Sequence, residues 1–169
     1  MSRDVDGARE VALRALERTR RTRRELERRL AERGFEPEVV ALALDRLEQV
    51  GLVDDLEYAR AFLSQKLARR AVGQRLIRGQ LLARGVSGAV ADQALGELAV
   101  GEESPRTEVD RARRALAQFA RRYARLDART RHRRLSAALV RRGFDYETVA
   151  EALAGLEQEA PLAESRAPR

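Results

Sequence analysis

The stretch LERRLAERGFEPEVVALAL, residues 26–44, returns as IRGQLLARGVSGAVADQAL at 77–95 and as LSAALVRRGFDYETVAEAL at 135–153. Each copy places two aliphatic residues four apart, then Arg-Gly, then one apolar residue, then a helix starter followed by Val and Leu at helical spacing. The glycines are Gly34, Gly85 and Gly143. A glycine just past a helix end takes the left-handed conformation that other residues avoid. The apolar residue behind it, Phe35, Val86 or Phe144, is then expected to fold back on the last turn. Ser87 and Asp145 suit the N-cap of the next helix. In the first copy Glu36 is a poorer cap, but Pro37 fits the first helical position. Each copy therefore predicts helix, tight turn, helix, and its recurrence is the mark of stacked supersecondary units.

A third helix precedes each pair. Ala8, Val11, Ala12, Ala15, Leu16 and Thr19 form one helical stripe, and Val109, Ala112, Leu116, Phe119, Ala120 and Tyr123 form another. In the middle unit the face is Leu56, Ala59, Phe62, Leu63 and Leu67. Helices are expected over about 6–20, 23–33, 37–50, 55–70, 74–84, 88–98, 107–123, 130–142 and 146–158. The fold expected is all-α, an elongated array of three tandem three-helix repeats. Its divisions are 1–51, 52–98 and 99–159, the last beginning with the linker-like AVGEESPR, followed by a disordered tail over 160–169.

The paired aspartates in GLVDDLEYARAF (51–62) raise the question of acid–base or metal chemistry. Asp54 precedes the first periodic residue and Glu57 follows three later, an Asp-led capping box. Asp55 falls in the first turn, where the helix dipole favours negative charge. Thr22 and Glu25 repeat the device. No base, metal ligand or glycine-rich loop accompanies the pair, so Asp54 and Asp55, like the three turn glycines, are read as structural.

Composition agrees with a helical binding protein. Of 169 residues, 44% are hydrophobic but only 4% aromatic, so the core is built from Leu, Val and Ala. There is no cysteine, which excludes disulfides and thiol catalysis and fits a reducing cytosol. No apolar run approaches the roughly 18 residues a membrane span needs, and MSRDVDGAREVALRAL lacks the layout of a secretory signal. His132, the single histidine, sits among arginines and reads as a surface residue. GQRLIRG (73–79) has no strand before it and so fails as a phosphate loop. These features point to a cytoplasmic protein that is not an enzyme and needs no metal or cofactor.

The net charge is +7, carried by arginine with Lys66 as the one lysine. Its placement is more informative than its size. Lys66, Arg69, Arg70, Arg75, Arg78 and Arg84 follow one another with no acid between them. Arg113, Arg114, Arg121, Arg122, Arg131, Arg133 and Arg134 lie on the corresponding helices of the third repeat. The last helix of each repeat is acidic instead. A helix-turn-helix would send that last helix into the major groove, where its carboxylates meet phosphates. Contact with nucleic acid is therefore expected from the first two helices and mainly to the backbone, since asparagine is absent. The competing reading is internal pairing of basic and acidic helices.

GLVDDLEYARAF followed by VGQRLIRGQLLARGV resembles the middle motif of the RecX regulatory proteins. RRTRRELERRLAERGF before it and RRLSAALVRRGFDYETVAEAL after it agree, so the resemblance spans about residues 8–158. It implies tandem three-helix repeats that bind the RecA recombinase filament along its groove and restrain recombination. It implies no catalytic residues. The near-complete replacement of lysine by arginine leaves the matching of individual contacts open. Charge placement makes the basic residues named above the expected surface for a RecA filament and a DNA backbone, and a monomer without membrane association is expected. A sequence-independent DNA-binding protein and a helical scaffold for an unrelated partner are the alternatives.

Overall fold

A computed structural model of the chain describes residues 4–100 and 108–164. Among the described residues every regular element is helical: α1 Val5–Leu16, α2 Arg23–Ala31, α3 Pro37–Gln49, α4 Asp55–Arg69, α5 Gln74–Ala83, α6 Gly88–Val100, α7 Glu108–Tyr123, α8 Ala128–Arg141 and α9 Tyr146–Glu164. The chain groups into two compact units, one of Met1–Ser64 with Gln80–Leu95, the other of Gln65–Gly79 with Gly96–Arg169. The boundary passes through α4, α5 and α6. The middle three helices are thus divided between the units, a partition that differs from the sequence divisions at 51/52 and 98/99.

The turns show why the repeated phrase folds as it does. Gly34, Gly85 and Gly143 have φ of 79°, 90° and 86°. In all three, the glycine N–H donates to the carbonyl three residues back at 2.9 Å. The N–H of the next residue reaches back five, Phe35 to Leu30 (3.3 Å), Val86 to Leu81 (3.2 Å) and Phe144 to Leu139 (3.3 Å). This pair of bonds is the Schellman arrangement, which satisfies carbonyls left free at the helix end. Phe35, Val86 and Phe144 are all buried behind it.

In the first unit Ala8, Val11, Ala12 and Ala15 of α1 pack with Leu26 and Leu30 of α2 and with Val40, Ala43, Leu44 and Leu47 of α3. In the second, Ala112, Ala115 and Leu116 of α7 pack with Leu135 and Leu139 of α8 and Val149, Ala152 and Leu153 of α9. Burying a Leu or Val side chain stabilises by about 1.5–3 kcal/mol. Alanine on the first helix of each set lets the neighbouring backbones approach.

Several boundaries differ from expectation. α1 ends at Leu16, leaving Thr19 exposed outside it, because Thr22 must stand in extended conformation (φ −75°, ψ 157°) to cap α2. α8 begins at Ala128, since the Asp127 side chain accepts from the Thr130 N–H at 2.9 Å. α6 runs on through Val100, and the rest of the expected linker lies outside the described residues. α9 continues to Glu164, so the stretch expected as a disordered tail opens as helix. Ala160, Leu162, Ala163 and Glu164 are strong helix formers, although Pro161 is not. Residues 165–169 lie outside the described residues.

Candidate partner and nucleic-acid interface

Two junctions join successive repeats, one in each compact unit. In the first unit the N-terminus of α2 rests on the turn between α5 and α6. The Thr22 hydroxyl donates to the Arg84 carbonyl at 2.6 Å while its oxygen accepts from the Glu25 N–H at 3.1 Å. The N–H of Arg23, the first residue of α2, donates to Asp55 Oδ1 at 2.9 Å. The Arg24 side chain lies over Gly85, where a Cβ would stand 2.4 Å from it. The Arg84 guanidinium stacks on the Phe62 ring, 5.0 Å from its centroid.

In the second unit the N-terminus of α5 rests in the same way on the turn between α8 and α9. The Gly73 N–H donates to the Arg142 carbonyl at 2.9 Å, and the Arg75 N–H to the Gly143 carbonyl at 3.2 Å. The N–H of Gln74, the first residue of α5, donates to Glu108 Oε1 at 2.8 Å. Arg142 stacks on Phe119 at 4.6 Å and reaches Gln118 Oε1 at 3.1 Å. The first and second repeats are thus each fastened by their second helix to the next repeat's glycine turn and to the leading carboxylate of the next repeat's first helix.

The two aspartates of the 51–62 stretch separate into different roles. Asp54 Oδ1 accepts from the N–H groups of Leu56 (2.8 Å) and Glu57 (2.9 Å), and so caps its own helix. Asp55 is half-buried and caps α2 instead. Burial pushes its carboxyl above the ordinary value, and the bond from the Arg23 N–H pulls the other way. Burial likewise pushes up Glu108, against the bond from the Gln74 N–H and the charge of Arg111.

The charges are arranged differently around the two junctions. Arg23 donates to Asp45 (2.7 Å), Glu27 (3.0 Å) and Glu48, all in the first unit. Burial works against its charge, but these three acids outweigh it and hold the guanidinium above its usual value. Internal pairing of basic and acidic helices therefore operates at α2 and α3. The corresponding residue at the second junction is the uncharged Gln74.

Of the basic residues singled out in the sequence, all but Arg84 fall in the second unit. Arg69, Arg70 and Arg75 are exposed, while Lys66 and Arg78 are half-buried. Arg142 donates to the Ala71 carbonyl at 3.4 Å, which brings the connection that begins at Arg70 to the end of α8. Arg113 and Arg114, Arg121 and Arg122 on α7, and Arg131, Arg133 and Arg134 on α8, are exposed. Arg113 pairs with Asp110 at 3.4 Å and Arg122 lies 5.9 Å from the Tyr123 ring. His132 is exposed on α8. Gly85 and Gly143 sit at the junctions themselves, and Gly34 is exposed.

Sequence reasoning missed Thr22 as a junction donor and Glu108, Asp127 and Arg142 altogether. Asp127 carried a readable signal, an Asp three residues before Thr130 at a helix start. Arg111, buried on the core face of α7, was also missed. Burial holds its guanidinium below the usual value, with Glu108 acting in the opposite direction. Its signal was the Glu108–Arg111 spacing of three. Among the described residues no helix is long and apolar enough to cross a membrane, and no three His, Asp or Glu side chains cluster to hold a metal ion.

Models of the first, second and third RecX three-helix domains match residues 8–47, 54–95 and 107–153, in that order. The chain belongs to the RecX family. A relative from Mycobacterium avium, named Regulatory protein RecX, is 36% identical over 146 residues, covering 85% of this chain and 81% of its own. Another of that name, from Mycolicibacterium vanbaalenii, is 41% identical over 101 residues. That match covers 60% of this chain and 55% of the relative. The crystal structure of RecX from Lactobacillus salivarius has the same fold, with a TM-score of 0.82 over 92% of this chain and 97% of that one at 21% identity. The three matched RecX segments each contain one Schellman glycine, so the repeated phrase read from the sequence is the turn of each RecX domain.

Proposed function

We propose that the chain is a regulator that docks on the RecA–DNA filament and inhibits recombinase activity, acting as a cytoplasmic monomer. The observation that carries the reading is family membership across all three repeats, joined to the arginine placement in the second unit. Arg69, Arg70, Arg75, Arg114, Arg121, Arg131, Arg133 and Arg134 are exposed there and, among the described residues, form no ion pair. A recombinase filament on DNA presents phosphates and carboxylates along a groove, and exposed guanidinium groups meet both. Attraction of this kind speeds encounter and weakens with salt.

Catalysis has no part in this reading, and the exposed arginines of the second unit supply the binding surface. The test is binding to RecA assembled on single-stranded DNA, followed across a salt series. Arg70→Glu with Arg75→Glu is expected to weaken binding and flatten its salt dependence while the helical circular dichroism stays unchanged. Glu147→Lys with Glu151→Lys, both exposed on α9, is expected to leave binding at least as strong. A chain that binds bare DNA equally well with or without RecA supports the plain DNA-binding alternative instead.

A further inference from the structure

We infer that the first junction holds a seat for a phosphate group, separate from the basic surface of the second unit and outside the residues assigned to it except for Arg84. A cleft of about 480 Å³ opens there, lined by Arg24, Glu25 and Arg28 of α2 and by Leu82, Ala83 and Arg84 at the end of α5. Three guanidinium groups face one carboxylate. That carboxylate, Glu25, lies 3.8 Å from Arg21 and is partly neutralised by it.

Two of the three arginines are placed before any ligand arrives. Arg84 is stacked on Phe62, and Arg24 is laid across Gly85. Among the described residues neither forms an ion pair. Arg28 has only an exposed Glu32 at 3.9 Å, a contact worth little in water. Guanidinium groups present paired N–H donors that match two oxygens of a phosphate, and fixing them beforehand reduces what is lost on binding. Leu82 and Ala83 line the cleft with apolar side chains and add no carboxylate to it.

The second junction lacks the third arginine. With Gly34 and Gly85 in register, Arg24 corresponds to Arg75 but Arg28 corresponds to Gly79. Gly79 carries no side chain, and a Cβ added there would meet nothing within 4 Å, so the place of the third arginine is open. The arginine triad is therefore a property of the first junction and does not follow from the repeat.

The experiment uses the full chain without recombinase, so its outcome is independent of the filament proposal. Binding of a 15-nucleotide oligo-dT is measured by fluorescence anisotropy across a salt series for wild type and for Arg24→Gln/Arg28→Gln. The control is Arg18→Gln/Arg46→Gln, which removes the same charge from exposed positions outside the cleft. Losing two phosphate contacts is expected to lower the salt slope by about 1.4 and the affinity by about tenfold at low salt. The control should lose much less. Inorganic phosphate is titrated in parallel against the arginine Nε–H signals. Movement of the Arg24 and Arg28 signals with oligo-dT at concentrations where inorganic phosphate has no effect identifies a nucleic-acid backbone as the source. Equal movement with inorganic phosphate identifies a free phosphate. Equal losses in the cleft variant and the control, or poly-glutamate shifting those signals where neither phosphate probe does, overturns the seat.

Discussion

At the first junction the residue before the docking helix is Thr22, and at the second it is Gly73. Thr22 reaches the turn below with its hydroxyl, whereas Gly73 uses its own backbone N–H. A Cβ on Gly73 would stand 2.2 Å from the Gly143 carbonyl oxygen, so the second junction is a backbone-to-backbone contact. The first has room for a side chain and is surrounded by acids that neutralise Arg23. The second is tighter and carries no such pairing at Gln74. The same turn thus serves two ends: a joint in the first unit where Arg23 alone is neutralised by acids, and a close-packed joint in the second with an uncharged residue in that place.

The sharpest way to break this comparison is to add a methyl group at the turns. Gly143→Ala meets both the left-handed φ of 86° and the Leu76 backbone, 2.4 Å from the new atom at its nitrogen. The strained conformation costs about 1–2 kcal/mol and overpacking about 1–3 kcal/mol. Gly34→Ala faces the same φ at an exposed turn and should cost about 1–2 kcal/mol. Urea denaturation of both variants checks the order. Equal losses would mean that the second junction relaxes without strain.

A smaller effect is expected at the carboxylates that cap the neighbouring repeat. Glu108→Ala strands the Gln74 N–H and should lose about 1–2 kcal/mol. Glu108→Gln keeps an acceptor and should be close to neutral. Burial raises the Glu108 pKa above its unfolded value, so the native state holds the proton more tightly. The stability this group contributes is present below the ordinary glutamate range and is lost as pH rises through the raised value. The Gln variant should therefore gain on wild type between pH 4 and pH 7, as followed by thermal melting at both. A constant difference at the two pH values would place Glu108 in water.

The smallest change belongs to Asp54. Asn caps as well as Asp, so Asp54→Asn should shift stability by a few tenths of a kcal/mol, against about 1 kcal/mol for Asp54→Ala. Loss of regulatory activity in a folded Asn variant would point to chemistry beyond capping.

These comparisons also show where sequence reading stops. Helix starts and stops depend on bonds within five residues, so Gly34, Gly85, Gly143, Asp54 and Thr22 announced themselves by local spacing. The junctions depend on partners far apart in the chain, such as Asp55 with the Arg23 N–H and Glu108 with the Gln74 N–H. Nothing in the local pattern of Asp55 distinguishes a dipole partner of its own helix from a cap for another. The basic run from Lys66 to Arg84 was legible as charge. Its division, with Arg84 held on Phe62 in one unit and the rest in the other, needed the tertiary structure. Arg111 defeated the periodicity argument because a charged residue on a core face is read as an interruption of the stripe.

The filament reading is tested most directly by the DNA-dependent ATPase of RecA with this protein added. Wild type is expected to inhibit it in a dose-dependent way, Arg70→Glu/Arg75→Glu to inhibit it much less, and Glu147→Lys/Glu151→Lys to inhibit it fully. An ATPase unaffected by the wild-type chain at concentrations where it binds bare DNA would contradict the account.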